Sequence, residues 1–181
     1  LPDIVYVAAG TVGTAVGLAV GFAALGSRTR VEAVRVTPAE VCSVRIARNL
    51  AAETVALLRA LAPAFPALDW PDLRFTLRDE YFEPGYGVVT PETTRAVEAA
   101  HAAGIALETT YTGKALLALL DDARAGRLAR EDVVFWNTYN SAALPEPGPD
   151  SGLPKVLADY VAHCDRQYGA DGPVPRDGDS E

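Results

Sequence analysis

Apolar positions along the chain switch repeatedly between a strand-like and a helical period. Ile4 to Ala8 is an unbroken apolar run of strand length, and it feeds a Gly/Thr segment that opens an apolar helix reaching about Leu25. Arg30 to Val36 reads as a second strand, and the spacing from Pro38 to about Leu61 predicts a long helix. A turn-rich stretch, Pro63 to Pro71, precedes Leu73 to Leu77, where apolar and polar residues alternate as in a strand. Thr90 is placed to cap a helix that starts with Pro91, runs to Ala103 and stops at Gly104. Ile105 to Leu107 reads as a short extended segment, Gly113 to Ala125 as a helix ending at Gly126, and Val133 to Trp136 as the last buried strand. After Leu153, residues Val156, Leu157, Tyr160 and Val161 fall at helical spacing, and from Asp171 the chain turns to Gly, Pro, Asp and Ser.

This alternation predicts an α/β fold, a parallel sheet with helices on both faces. Neither an internal repeat nor a linker divides it, so residues 1–170 are expected to act together and 171–181 to form a flexible acidic tail. In such sheets ligands sit at the C-terminal ends of strands, which directs attention to the loops after Ala8, Phe82, Leu107 and Trp136.

The loop after the first strand, Ala9-Gly10-Thr11-Val12-Gly13-Thr14, carries the clearest chemistry. Its glycines allow close backbone approach, Thr11 and Thr14 add hydroxyls, and the helix it opens offers unpaired N–H groups with a partial positive charge. A phosphate site is predicted. A Walker A loop ends in Gly-Lys followed by Ser or Thr, whereas the lysines of this chain are Lys114 and Lys155. A dinucleotide fingerprint is also a poor fit: the glycines are Gly10, Gly13 and Gly17, and the next strand ends in Arg35-Val36-Thr37 with its acid, Glu32, near the start. A single phosphomonoester, as on pyridoxal phosphate, suits a Gly/Thr cup without metal or lysine. The rival reading is a tight turn that serves packing alone.

Three more segments follow in order: Tyr81-Phe82-Glu83-Pro84-Gly85-Tyr86-Gly87-Val88-Val89-Thr90-Pro91-Glu92, then Gly104 through Tyr111-Thr112-Gly113-Lys114-Ala115, then Val133-Val134-Phe135-Trp136-Asn137-Thr138. With the loop, they resemble the C-terminal portion of the 1-aminocyclopropane-1-carboxylate deaminase and D-cysteine desulfhydrase family, pyridoxal-phosphate enzymes of the tryptophan synthase β-like fold (fold type II). The resemblance runs from Leu1 to about Ala170, and the Tyr-Thr-Gly-Lys segment with the loop is its most specific part. It implies pyridoxal 5′-phosphate as cofactor, a small amino acid as substrate, β-elimination or deamination as the chemistry, and a homodimer at full length. It also implies an α/β chain that is incomplete without an N-terminal half, because the family's Schiff-base lysine lies upstream of the phosphate loop and no lysine here precedes Lys114. Catalysis by this chain alone is then not expected. The alternatives are a non-catalytic module that binds pyridoxal phosphate or another small phosphate without a covalent link, and a plain folding remnant.

The resemblance also carries residue roles. Gly10, Thr11, Val12, Gly13 and Thr14 would hold the cofactor phosphate, and Thr112 matches the position whose hydroxyl faces the pyridine nitrogen. A neutral hydroxyl there suits β-elimination more than transamination, and the deaminase branch commonly has Glu, so Thr112 leans toward the desulfhydrase branch. Tyr86 and Tyr111 match two tyrosines that border the substrate, where a phenol could move a proton if its pKa were lowered; the rival reading is two aromatic core residues. Thr138 belongs with the cofactor-binding set. Asn137-Thr138-Tyr139-Asn140 stands where many relatives have His-Thr-Gly-Gly, so bulky Tyr139 and Asn140 replace two glycines and bear on substrate choice. Lys114 is expected to be structural or to help close the site.

Composition narrows the partners. The 181 residues are 49% hydrophobic, enough for one sizeable core. A formal charge of −8 argues against nucleic acid or an anionic membrane surface and favours a small-molecule ligand. Cys42 and Cys164 lie far apart, which signals neither a disulfide framework nor a zinc site and leads us to expect a reducing cytoplasm. The apolar stretch from Ala15 to Leu25 is too short to span a bilayer, and it lacks the basic leader of a signal peptide. His101 and His163 have no second ligand at metal spacing, so no metal is expected. Glu32, Glu53 and the pair Asp121-Asp122 read as solvated faces.

Overall fold

A computed structural model describes residues 1–140 and, beyond them, 142, 152, 154–159 and 162. Tyr160, Val161, His163, Cys164 and the tail from Asp171 lie outside the described residues.

The central strand, β1 (Ile4–Ala9), is buried along its whole length, as its uninterrupted apolar run requires. It pairs in parallel with β2 (Arg30–Arg35) on one side, Ile4 opposite Arg30 and Ala9 opposite Arg35. On its other side it pairs in parallel with β4 (Val133–Trp136), Ile4 opposite Val133. With β3 (Phe75–Arg78) beside β2, the order is β3-β2-β1-β4. The sheet grows outward from β1 through β2 to β3, then returns to add β4 at the opposite side. That reversal makes the C-terminal end of β1 a topological switch point, where a crevice opens.

Helices α1 (Gly13–Ala24) and α2 (Val44–Leu61) cover one face, packing Val16, Ala19, Ala47 and Val55 against Val7, Val31 and Ala33. Helix α4 (Thr112–Arg124) covers the other, setting Ala115 and Ala118 on Ile4, Tyr6, Ala8 and Val34. Helix α3 (Pro91–Ala102) lies outside α4, joined through Val97, Ala100, Leu107 and Leu116. Helices therefore stand on both faces of a parallel sheet, as the alternation predicts.

Two boundaries move. Helix α2 starts at Val44 rather than near Pro38, because Ser43 is its cap, accepting from the Ile46 N–H at 3.4 Å. The preceding residues form a turn in which the N–H groups of Val41 and Cys42 both donate to the Pro38 carbonyl at 3.0 Å. The third strand starts at Phe75 rather than Leu73, since Leu73 ends a short 3-10 turn, Trp70–Asp72. Ile105 to Leu107 has no ladder partner. Thr90 caps α3 as predicted, accepting from the Thr93 N–H at 3.2 Å, and Gly126 ends α4 in the left-handed conformation at φ 74°.

Two expected solvated acids are instead buried, each surrounded by donors, with Arg78 of β3 reaching both. Glu32 is 5% exposed, bonded to Arg30 at 2.6 Å and 3.7 Å from Arg78. Asp122 is also 5% exposed, and it accepts from Tyr6, from Arg78 at 2.8 Å and from Arg127 Nε at 2.9 Å. Burying a carboxylate is costly unless such donors surround it.

Candidate active site

The loop between β1 and α1 is held from behind. Thr37 Oγ1 donates to the Gly10 carbonyl at 2.6 Å, while the Val36 N–H and Cys42 Sγ donate to the Ala9 carbonyl at 3.1 and 3.3 Å. With these carbonyls engaged on the β2 side, the loop amides are left to the crevice. Val12, the residue before α1, has φ 58°, a left-handed conformation that a β-branched residue adopts only when its surroundings enforce it. Its side chain is 1% exposed and locked in the core. Helix α1 begins with no side-chain cap and no acid in its first turn, whereas Ser43 and Thr90 cap α2 and α3. The exposed Thr11, Gly13 and Thr14 surround that uncapped end. Orphan N–H groups with a positive dipole end and two hydroxyls make a donor set suited to a phosphate.

Opposite the cup stands the start of α4. Here Glu108, absent from the residues picked out by sequence, organises the backbone. Its carboxylate accepts from the N–H groups of Thr110 at 2.7 Å, Tyr111 at 3.0 Å and Thr112 at 2.7 Å, and from Thr112 Oγ1 at 3.0 Å. An acid just ahead of a helical run was the available signal. Thr112 is 2% exposed, and its Oγ1 also accepts from the Glu108 N–H at 3.2 Å. Offering its proton to a ring nitrogen requires turning the hydroxyl away from Glu108. Gly113 permits this geometry: a Cβ there would lie 2.8 Å from the Glu108 carbonyl and 2.6 Å from Val97 Cγ2.

Tyr111 reaches from this cap over the phosphate loop, its Cε1 3.2 Å from where a Cβ on Gly10 would lie. Its hydroxyl is 2.9 Å from that of Tyr86, and this hydrogen bond, helped by burial, pushes the Tyr111 phenol up to about 12. The direction is opposite to the lowering that a proton acceptor at neutral pH needs, so Tyr111 is a phenol that keeps its proton. Tyr86 is in turn held by Lys114. That lysine is 1% exposed, and its Nζ donates to the carbonyls of Phe82 at 3.2 Å and Gly85 at 3.3 Å, tying α4 to the turn that carries Tyr86. Burial lowers its pKa, against the pull of Glu83.

Two adjoining cavities result. One, of about 290 Å³, is lined by Ala8 and Ala9, the loop from Gly10 to Thr14, Tyr111 and Thr138. The other, of about 470 Å³, is lined by Tyr86, Glu108, Thr110, Tyr111, Thr112, Thr138, Tyr139 and Asn140. Tyr111 and Thr138 belong to both. Every site residue picked out by sequence thus lines one or the other. A larger groove of about 710 Å³, between α2 and the Trp70 turn, contains none of these groups. His101, expected to be an ordinary surface or half-buried residue, pairs with the Leu107 backbone at 3.1 Å.

An open parallel α/β sheet with an uncapped Gly/Thr helix terminus at its switch point, faced by tyrosines and a capped helix, defines a protein built around a phosphate-bearing ligand. The chain belongs to the pyridoxal-phosphate dependent enzyme family, whose model matches residues 1–138. It is 36% identical over 145 residues to a D-cysteine desulfhydrase of Klebsiella pneumoniae (strain 342), covering 77% of this chain and 40% of that protein. To the D-cysteine desulfhydrase of K. pneumoniae subsp. pneumoniae it is 34% identical over the same length. Among solved structures, a crystal structure of a homologue of ACC deaminase superposes with a TM-score of 0.59 at 29% identity, over 74% of this chain and 38% of that one. The fold is therefore that of the ACC deaminase-like, fold type II enzymes, and the chain spans about 40% of the length of the curated relatives it matches. Pyridoxal phosphate is the family's cofactor, and the donor set around Gly10–Thr14 fits its phosphate.

Proposed function

We propose that this chain is the C-terminal part of a pyridoxal-phosphate enzyme that acts on a small amino acid by β-elimination or deamination, as a D-cysteine desulfhydrase or an aminocyclopropane carboxylate deaminase would. The observation that carries the reading is the pair of cavities sharing Tyr111 and Thr138: one ends in a phosphate cup, the other in a tyrosine pair. When bound, the cofactor ring supplies an electron sink for breaking a bond at the amino acid's α-carbon. The residues of this chain do the rest. Gly10 to Thr14 would bind the phosphate through N–H groups and the Thr11 and Thr14 hydroxyls, and Thr138 lines both cavities. Thr112, ordered by Glu108, would offer a neutral hydroxyl to the ring nitrogen once that hydroxyl turned from Glu108. Tyr111 holds a proton beside the substrate, and Tyr86 orients it.

Lys114 lines neither cavity, and its Nζ is committed to two carbonyls. In this reading the Schiff-base lysine comes from the part of the relatives that this chain does not match, and the full-length protein is a homodimer of a reducing cytoplasm. The commitment of Lys114 favours a second reading as well, a module that holds pyridoxal phosphate without a covalent link.

Incubating the full-length protein with pyridoxal phosphate and, in turn, D-cysteine and aminocyclopropane carboxylate separates the two. Release of ammonia with the corresponding keto acid, and of sulfide from D-cysteine, supports the enzyme, and retained cofactor without turnover of either supports the module. Replacing Thr14 with Ala is expected to weaken cofactor retention by about tenfold, the worth of one hydrogen bond to a charged group. Unchanged retention would remove the Thr14 hydroxyl from the cofactor site and count against the loop assignment.

A further inference from the structure

We propose that Tyr139 sets the length of amino-acid side chain that the site admits, restricting it to short groups. The inference rests on the pyridoxal-phosphate reading above, which places the cofactor phosphate in the cup and the amino acid in the second cavity. Tyr139 and Asn140, on the loop that leaves β4 at the C-terminal end of the sheet, line that cavity and not the cup.

This loop is held in place. Asn137 Nδ2 donates to the Ala106 carbonyl at 3.1 Å, and its Oδ1 accepts from the Tyr139 N–H at 2.9 Å. One side chain thereby clamps the backbone of Tyr139 to the segment leading into Glu108 and the α4 cap. Tyr139 is 41% exposed, so it stands at the mouth rather than in the core. Its backbone N–H, bonded to Asn137, is the group that holds it. A clamped aromatic at the mouth limits how far a substrate side chain can extend.

The described lining around Tyr139 offers hydroxyls and amides, and the carboxylate of Glu108 is engaged by backbone N–H groups and Thr112, so the reach of the Tyr139 ring is what this part of the wall contributes to selection.

The test is a ladder of amino acids, alanine, 2-aminobutyrate, norvaline and norleucine, titrated into the full-length holoprotein while cofactor absorbance reports binding. In the native protein each methylene beyond 2-aminobutyrate is expected to weaken binding by about tenfold. Tyr139→Gly is expected to flatten the ladder while cofactor content and alanine binding stay within about twofold. Tyr139→Trp works in the opposite sense, ending the ladder one step earlier, and covers the case in which the glycine variant does not fold. Tyr139→Phe keeps the native ladder if ring size rather than the hydroxyl is what counts. Parallel ladders in the native, Gly and Trp forms, with cofactor bound, overturn the assignment of Tyr139 alone. A native protein that binds no cofactor overturns the reading beneath it as well.

Discussion

The hydroxyls of Tyr86 and Tyr111 lie 2.9 Å apart, and their rings meet edge to face with centroids separated by 6.1 Å. Tyr86 is more than half exposed, so the pair joins a wet phenol to one lodged over the Gly10 loop. The hydrogen bond is the first cause of the rise in the Tyr111 pKa to about 12.

Tyr86→Phe removes that bond and is expected to return Tyr111 toward the ordinary phenol value of about 10. An ultraviolet difference titration of Tyr86→Phe against the Tyr86→Phe/Tyr111→Phe double variant isolates the change. In the full-length holoenzyme the same substitution is expected to lower kcat more than it raises KM, because the orientation of a proton-holding phenol is felt in the transition state. Native turnover would take Tyr86 out of the mechanism.

Glu108→Ala strips the acceptor from three backbone N–H groups at the start of α4 and from the Thr112 hydroxyl. Loss of a helix cap costs about 1–2 kcal/mol, and a drop of that size in urea stability is expected. Glu108→Gln keeps one oxygen acceptor and is expected to lose less. If the Ala variant melts with the native protein, the cap contributes nothing to stability.

What the sequence makes legible here is what is local. Thr90 and Pro91 mark the start of α3 because cap and first-turn proline act within four residues, and the Gly/Thr loop is readable because its glycines sit together between a strand and a helix. The start of α2 is hidden by long-range bonds: Thr37 and Cys42 brace the carbonyls of Gly10 and Ala9, so the stretch from Pro38 to Cys42 serves the loop instead of extending the helix. Glu32 and Asp122 look like surface acids in a periodic pattern, and only the fold brings Arg78 to both. Glu108 was within reach of sequence, since an acid before a helical run is a capping signal, but the apolar spacing around it drew no attention to its side chain.

Gly113 carries a steric prediction. A Cβ there meets the Glu108 carbonyl at 2.8 Å and Val97 Cγ2 at 2.6 Å, and the backbone carbonyl cannot yield without breaking the 2.7 Å bond it accepts from the Gly113 N–H. Gly113→Ala is therefore expected to lower stability by about 1–3 kcal/mol, the usual cost of overpacking. Gly13→Ala serves as the control, since nothing lies within 4 Å of a Cβ at that position. Equal thermal midpoints for the two variants would show that α3 and α4 have room to part.

Asp122 gives the chain an acid-sensitive element remote from the cavities. Burial raises its pKa, but hydrogen bonds from Arg78, Tyr6 and Arg127 outweigh that and hold the carboxyl down at about 2, against an ordinary value of 3.8. Tyr6, kept well above the usual phenol range by burial and by Asp122 itself, remains a donor throughout. The unfolded chain therefore takes up a proton at Asp122 near pH 4 while the folded chain stays ionised until about pH 2. The resulting stability, about 2 kcal/mol by linkage, is fully present above about pH 4 and is lost as the pH falls toward 2. Asp122→Asn is expected to remove that part of the acid-side slope and to destabilise the protein at neutral pH, because Arg78, Arg127 and Tyr6 would lose their shared buried carboxylate, Arg78 keeping only the more exposed Glu80 at 2.6 Å and Glu32 at 3.7 Å. Urea unfolding across this pH range checks both effects, and an identical slope in the two proteins would leave Asp122 no part in acid unfolding.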